Sequence, residues 1–201
     1  AIALDPNYAH AHAWKACVLG QAWVYGWCED REATFAEVGE ELQAALALDD
    51  NDSDVHRILA SVSIIRDDLD RAGFHQQRAL SLNPNDDLIV VQQGELLTWL
   101  GQAEEGIEWI KRAMRLNPFH PTRFWNHLGR AYFVARRYDA ARDAFQRLTA
   151  PDVPQLAFLT ACAAALDRVD EAATLAAEVR VRDPKFSIRR NLASLHFRRD
   201  E

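Results

Sequence analysis

Long apolar runs, paired cysteines and clustered glycines are all missing from this chain of 201 residues. The longest apolar-rich stretch, Leu156–Leu166, is broken by Thr160 and falls short of the ~18 residues a membrane span needs. No signal-peptide pattern opens the chain, and no membrane partner is expected. The three cysteines, Cys17, Cys28 and Cys162, form no CxxC pair. Zinc is therefore not expected, and reduced thiols in a cytoplasmic setting are. The eight glycines stand singly, which excludes a glycine-rich phosphate loop, and no G-x-S-x-G elbow occurs. Asp50-Asn51-Asp52-Ser53-Asp54 has the acid spacing of a calcium loop. However, Val55 stands where that loop needs glycine, and Ser61 where it needs a bidentate glutamate. His10 and His12 are two apart, so a helix would point them to different faces. No metal, cofactor or catalytic residue is expected, and the chain reads as a non-enzyme.

What is present is apolar and helix-forming. Apolar residues make up 49% of the chain, which excludes a disordered segment. Alanine is abundant, and Gly and Pro are few, which favours helix over strand. The net charge of −7 is uneven: residues 1–100 carry 17 Asp/Glu against 6 Lys/Arg, and residues 101–201 carry 13 against 17. Solvated helix faces account for this, as does a polarised chain that meets a partner or a second copy head to tail. The arginine-rich stretches lack the interleaved aromatics of a single-strand binder, and the overall acidity weighs against nucleic acid.

One segment returns along the chain. Ala79–Asp86 reads Ala-Leu-Ser-Leu-Asn-Pro-Asn-Asp, and variants of it occupy 1–7, 45–52, 113–120 and 179–186. Its physics is a stop followed by a start. Pro84 lacks an N–H and pushes Asn83 out of the helical region, so the preceding helix ends. Asn85, Asp86 and Asp87 then offer oxygens to the free N–H groups of the next helix. The turn falls at Pro6, Asp50, Pro84, Pro118, near Pro151 and at Pro184, with intervals of 44, 34, 34, 33 and 33. Small residues keep the same beat, at Ala60, Gly94 and Gly129 and again at Ala72, Gly106, Ala141 and Ala172. They allow the two helices of each unit to approach closely.

A period of ~34 residues is the mark of a helix-turn-helix repeat. Trp125-Asn126-His127-Leu128-Gly129-Arg130-Ala131-Tyr132, continued through Tyr138, Ala140, Ala141 and Phe145, resembles the tetratricopeptide (TPR) pattern W-x-x-L-G-x-x-Y. The resemblance implies an all-α fold: a right-handed TPR-like α-solenoid of about five repeats plus a C-terminal capping helix. The repeats are placed at 7–52 (with an insert near 24–32), 53–86, 87–120, 121–152 and 153–186, and the capping helix at 187–199. The cap's apolar face would be Ile188, Leu192 and Leu195. A narrower resemblance rests on Trp23–Asp30, Arg115–Pro121 and Ala193–Phe197. These are similar to the C-terminal TPR region of bacterial class III adenylate/guanylate cyclase-like proteins. Ala1–Leu4 reads as the tail of an earlier helix, so the chain is expected to be a piece of something longer.

The family resemblance implies protein–protein recognition in a groove lined by the first helix of each repeat. By phase, the groove residues are Arg57, Ser61, Glu95, Trp99, Arg123, Asn126, Arg130 and Phe133. Arg57, Arg123 and Arg130 beside Asn126 suit an acidic partner segment or a C-terminal carboxylate. They equally suit neighbouring acids such as Glu95. Trp23, Tyr25 and Trp27 in the insert form either a lengthened, packed hairpin or an aromatic docking patch. A self-associating module that makes a homo-oligomer, and a small-ligand sensor, are the other readings.

Overall fold

The computed structural model describes residues 1–198, and they form eleven α-helices with no strand among them. The helices are α1 (Ala9–Tyr25), α2 (Arg31–Leu48), α3 (Ser53–Ile65), α4 (Leu69–Leu82), α5 (Asp87–Trp99) and α6 (Ala103–Leu116). They continue with α7 (Arg123–Val134), α8 (Tyr138–Phe145), α9 (Val153–Ala165), α10 (Val169–Arg182) and α11 (Ile188–Ala193). No helix among the described residues is long and apolar enough to cross a membrane. The chain divides into two compact units, Ala1–Ile89 and the residues from Val90 onward.

Two kinds of turn alternate. Between hairpins, an Asp or Asn follows the helix end and folds its side chain onto the backbone two residues on. Asp5, Asp49, Asn117 and Asp183 accept from the N–H groups of Asn7, Asn51, Phe119 and Lys185 at 3.0, 2.8, 3.0 and 2.9 Å. The next helix is then capped. Asp52 accepts from Asp54 and Val55, Asp86 from Leu88 and Ile89, and Asp152 closes a capping box with Gln155.

Within hairpins, the chain passes through a left-handed residue at Gly26, Asp67, Gly101, Arg136 and Asp167, with φ of 69°, 58°, 79°, 59° and 57°. The following residue then bonds back to the helix. Asp68, Gln102, Arg137 and Arg168 donate to the carbonyls of Ser63, Leu97, Tyr132 and Ala163 at 2.8–2.9 Å. Two of the five, Gly26 and Gly101, are glycine, and the other three hold a conformation that costs an L-residue ~1–2 kcal/mol.

In the first unit the core is Ala13, Ala16, Val38, Leu42, Ala45, Val55, Ile58, Leu59 and Val62. Its first hairpin is longer than the next. Compared with α3 and α4, α1 and α2 each have four more residues, and the connection Gly26–Asp30 has two more than Arg66–Asp68. The ten additional residues are thus shared between helices and loop. A buried pair lies beside this core: His56 Nδ1 and His75 Nδ1 stand 3.0 Å apart, and His56 Nε2 donates to the Asp50 carbonyl at 3.0 Å. That donation fixes the tautomer. His56 Nδ1 must accept, and His75 Nδ1 must carry the proton between them.

In the second unit Phe145, Leu156, Phe158, Leu159, Cys162 and Val179 form a cluster, with Leu195 and Phe186 packed against it. Burial pushes the Cys162 thiol up to about 12, so it is an inert core thiol. The end of this unit differs from a helix covering a stack with Ile188, Leu192 and Leu195. Helix α11 is six residues with no buried side chain, and Ile188 and Leu192 are 71% and 59% exposed. Of the three, Leu195 alone packs against the cluster, and it does so from beyond the helix. Arg199, the last residue assigned to that helix from sequence, lies outside the described residues.

The small residues mark the helix crossings. A Cβ on Gly94 would stand 2.6 Å from the Gly106 carbonyl oxygen and 2.5 Å from Ile110 Cγ1. One on Gly129 would stand 2.8 Å from the buried ring of Phe145. Nothing lies within 4 Å of a Cβ built on Gly73 in α4. Gly94→Ala is therefore expected to lower the urea midpoint, while Gly73→Ala is neutral or stabilises by ~0.5–1 kcal/mol through helix propensity. Gly129→Leu is expected to cost ~1–3 kcal/mol or more on the same measurement. Arg136→Gly should raise the midpoint by ~0.5–1 kcal/mol, because glycine holds the left-handed turn without the Cβ penalty.

The histidine pair sets a pH dependence. Burial first, then the charges of His56 and Arg71, push His75 down to about 4 from 6.5. Between those values the unfolded chain takes up a proton that the folded chain refuses. Stability should therefore fall as pH drops through that window. An NMR titration checks this: the His75 ring should keep its neutral chemical shift until pH nears 4.

Candidate functional site

The groove residues expected from sequence fall into both units. In the first, Arg57 on α3 is 7% exposed and its Nε donates to Asp54 Oδ1 at 2.7 Å. Its guanidinium lies 5.9 Å from the Trp14 ring. Ser61 sits half-buried one turn on.

The second unit brings more of them together. Glu95 and Trp99 lie one turn apart on α5, and Arg123, Asn126, Arg130 and Phe133 rise along α7. Arg130 Nη2 donates to Glu95 Oε1 at 2.9 Å, and its guanidinium stands 4.8 Å from the Trp99 ring centroid. Pairing and stacking together are what a planar guanidinium does and an ammonium does not. Phe133 turns the other way, with its ring at 5.1 Å from Phe158 and 5.5 Å from Tyr138, and so joins the core. Arg123 is exposed at the start of α7, 5.8 Å from the Phe124 ring, and Asn126 is half-buried.

His127 completes the cluster, and sequence reasoning missed it. Its Nδ1 is 2.9 Å from Arg130 Nη2 and 3.3 Å from Glu95 Oε1. Unprotonated it accepts from Arg130; protonated it donates to Glu95. The available signal was its place three residues before Arg130, on the same helical stripe. Burial by itself pushes the Glu95 carboxyl up. The charges and hydrogen bonds of His127 and Arg130 outweigh burial and hold it well below the usual carboxylate range. Glu95 is an ionised acid whose Oε1 is shared by Arg130 and His127.

The end of the chain reaches this cluster. The rings of Phe197 and His196 meet Trp99 edge-on, with centroids at 4.8 and 5.8 Å. The Arg198 N–H donates to the Trp99 carbonyl at 2.9 Å. Trp99 is 2% exposed, and its indole N–H has no acceptor among the described residues.

The three aromatics of the first hairpin separate. Trp23 packs on Phe35 at 5.0 Å, under the Arg31 guanidinium at 4.4 Å. Tyr25 and Trp27 stack on each other at 4.8 Å and stay 54% and 74% exposed. His10, Asp52 and Asp54 gather close enough for a cation, but their atoms are already engaged. Asp52 bonds His10 and caps α3, Asp54 holds Arg57, and His10 Nε2 accepts from Trp14.

No known family model matches the chain. Human tetratricopeptide repeat protein 13 is 30% identical over 74 residues, which is 37% of this chain and 8% of that protein. Among solved structures, Cut9–Hcn1 of the APC/C hetero-tetramer superposes with a TM-score of 0.79 at 17% identity, over 98% of this chain and 38% of that one. A TPR protein of Thermus thermophilus gives 0.64 at 17%, over 91% and 98%. YrrB, described as a TPR protein with an unusual peptide-binding site, gives 0.58 at 16%, over 96% and 94%. The chain has the all-α fold of TPR solenoids. It spans well under half of the human relative and of the Cut9–Hcn1 chain.

Proposed function

We propose that the chain is a protein-interaction scaffold, one module of a larger bacterial signalling protein, and that it holds a partner's extended segment on the face shared by α5 and α7. The observation that carries this reading is the Glu95–Arg130–His127 cluster beside Trp99. Rigid helices there gather an aromatic and hydrogen-bonding groups, as peptide grooves require, with Trp99 covered by His196 and Phe197 of the same chain. YrrB, with the same fold, is described as binding peptide. The sequence resemblance to cyclase-like proteins supports a nucleotide cyclase as the attached domain, in a cytoplasmic setting.

An acidic partner has less to attract it than the arginine count suggests. Arg57 and Arg130 each face an acid of this chain, so a carboxylate would compete with Asp54 or Glu95. Exposed Arg123 and half-buried Asn126 are the groups a partner meets first. The exposed Tyr25–Trp27 stack supports the second reading, a docking or self-association patch on the first hairpin.

Panning a random peptide library against the whole chain tests the groove. Selected peptides are expected to lose about tenfold in affinity, by fluorescence polarisation, on Arg123→Ala with Asn126→Ala. The melting temperature should stay unchanged. Peptides that ignore this double variant and are lost on Tyr25→Ala with Trp27→Ala would move the site to the first hairpin. Sedimentation of the same variants reads out self-association.

A further inference from the structure

We propose that the chain's own segment His196–Arg198 is a resident ligand of the α5–α7 face. A partner segment of the same chemistry, an extended stretch led by an aromatic side chain, must displace it to bind. This rests on the interaction reading above and adds the partner's chemistry and a built-in competitor.

The contacts around Trp99 are those of a peptide subsite. The Trp99 carbonyl belongs to the last turn of α5, where a helix cannot pair its own carbonyls. The incoming Arg198 N–H pairs it at 2.9 Å. The Phe197 ring meets the indole at 4.8 Å and 73°, the edge-to-face geometry that aromatic pairs favour. His196 adds a second edge at 89°, and Arg130 lies against the same indole at 4.8 Å. One backbone bond and two ring contacts are how an extended segment is read when it supplies no strand ladder.

Two observations mark the occupant as replaceable. The first is its tether. Helix α11 buries no side chain, and Ile188 and Leu192 are exposed, so the helix leading to the site is held chiefly at its flanks, by Phe186 and Leu195 on the core cluster. The cluster of Phe145, Leu156, Phe158 and Cys162 does not include residues 196–198. The second is an unmet need at the site. The Trp99 indole N–H is buried and has no acceptor among the described residues, which is uncommon for a tryptophan this deep. A displacing segment that places a carbonyl or carboxylate oxygen there makes a bond that residues 196–198 do not make.

The test uses the full chain carrying His196→Ala and Phe197→Ala. The probe is a fluorescein-labelled synthetic peptide with the sequence of residues 190–201. By fluorescence polarisation, the opened chain is expected to bind this peptide at least about tenfold more tightly than the parent does. A peptide with Phe197→Ala should not bind. A second full-length variant, Arg198→Pro, removes the N–H donor while keeping both rings and should also bind more tightly than the parent. Retained far-UV melting identifies which variant to score. Equal binding to parent and opened chains, or none to either variant, overturns the proposal. So does a parent that sediments as a dimer which the double variant breaks, since the segment then belongs to a second copy. If library peptides still depend on Arg123 and Asn126 while the 190–201 peptide binds nothing, the resident ligand fails and the groove stands.

Discussion

Where α5 crosses α6, backbone meets backbone. Gly94 and Gly106 face each other so closely that a Cβ on either would enter the other's carbonyl. The Gly94 carbonyl, buried there, is satisfied by the Thr98 hydroxyl one turn on. Seating α5 this deep fixes its rotation, and rotation decides what its other positions do. Glu95 and Trp99 then project together towards α7, where Arg130 and His127 receive them. A side chain at the crossing would push α5 outward and loosen that junction along with the hairpin. The geometry of the α5–α7 face therefore depends on two residues that have no side chain.

Some of this was legible in the sequence for a local reason. Proline stops and aspartate caps are decided within three or four residues, so Pro84 and Asp86 could be read as a stop and a cap before any fold was known. The glycine at 94 kept phase with Ala60 and Gly129, and its role followed from the phase. Other features depend on residues far away in the chain. Arg130 lies 35 residues from the carboxylate that holds it. Spacing showed that it shared a face with Asn126, but not that its charge was already paired. Ile188 and Leu192 share a helical stripe as predicted, yet a stripe reports which face is apolar and not whether anything covers it. The left-handed turns at Asp67, Arg136 and Asp167 were hidden because glycine marks that position only at Gly26 and Gly101.

The charges of the α5–α7 face are largely paired among themselves. Arginines outnumber acids in the second half of the sequence, but on the α5–α7 face Arg130, Glu95 and His127 are bonded to one another. Their fields largely cancel beyond the first shell of solvent, and salt screens what remains. Under the proposed function, shape, ring contacts and single hydrogen bonds would be left to discriminate among partners. Electrostatic steering would come from exposed groups such as Arg123.

The return of the chain to Trp99 also has a kinetic side. Repeat hairpins assemble from short-range contacts, and even links between neighbouring hairpins, such as Arg142 to Glu171, close loops of 29 residues. Arg198 closes a loop of 99 residues onto Trp99. Such a contact forms after the helices it needs are in place. It belongs among the last steps of folding and the first of local opening. Amide exchange at Arg198 would then be fast while the interior of α5 stays protected, so the same segment is both a slow-forming closure and a quick-release contact.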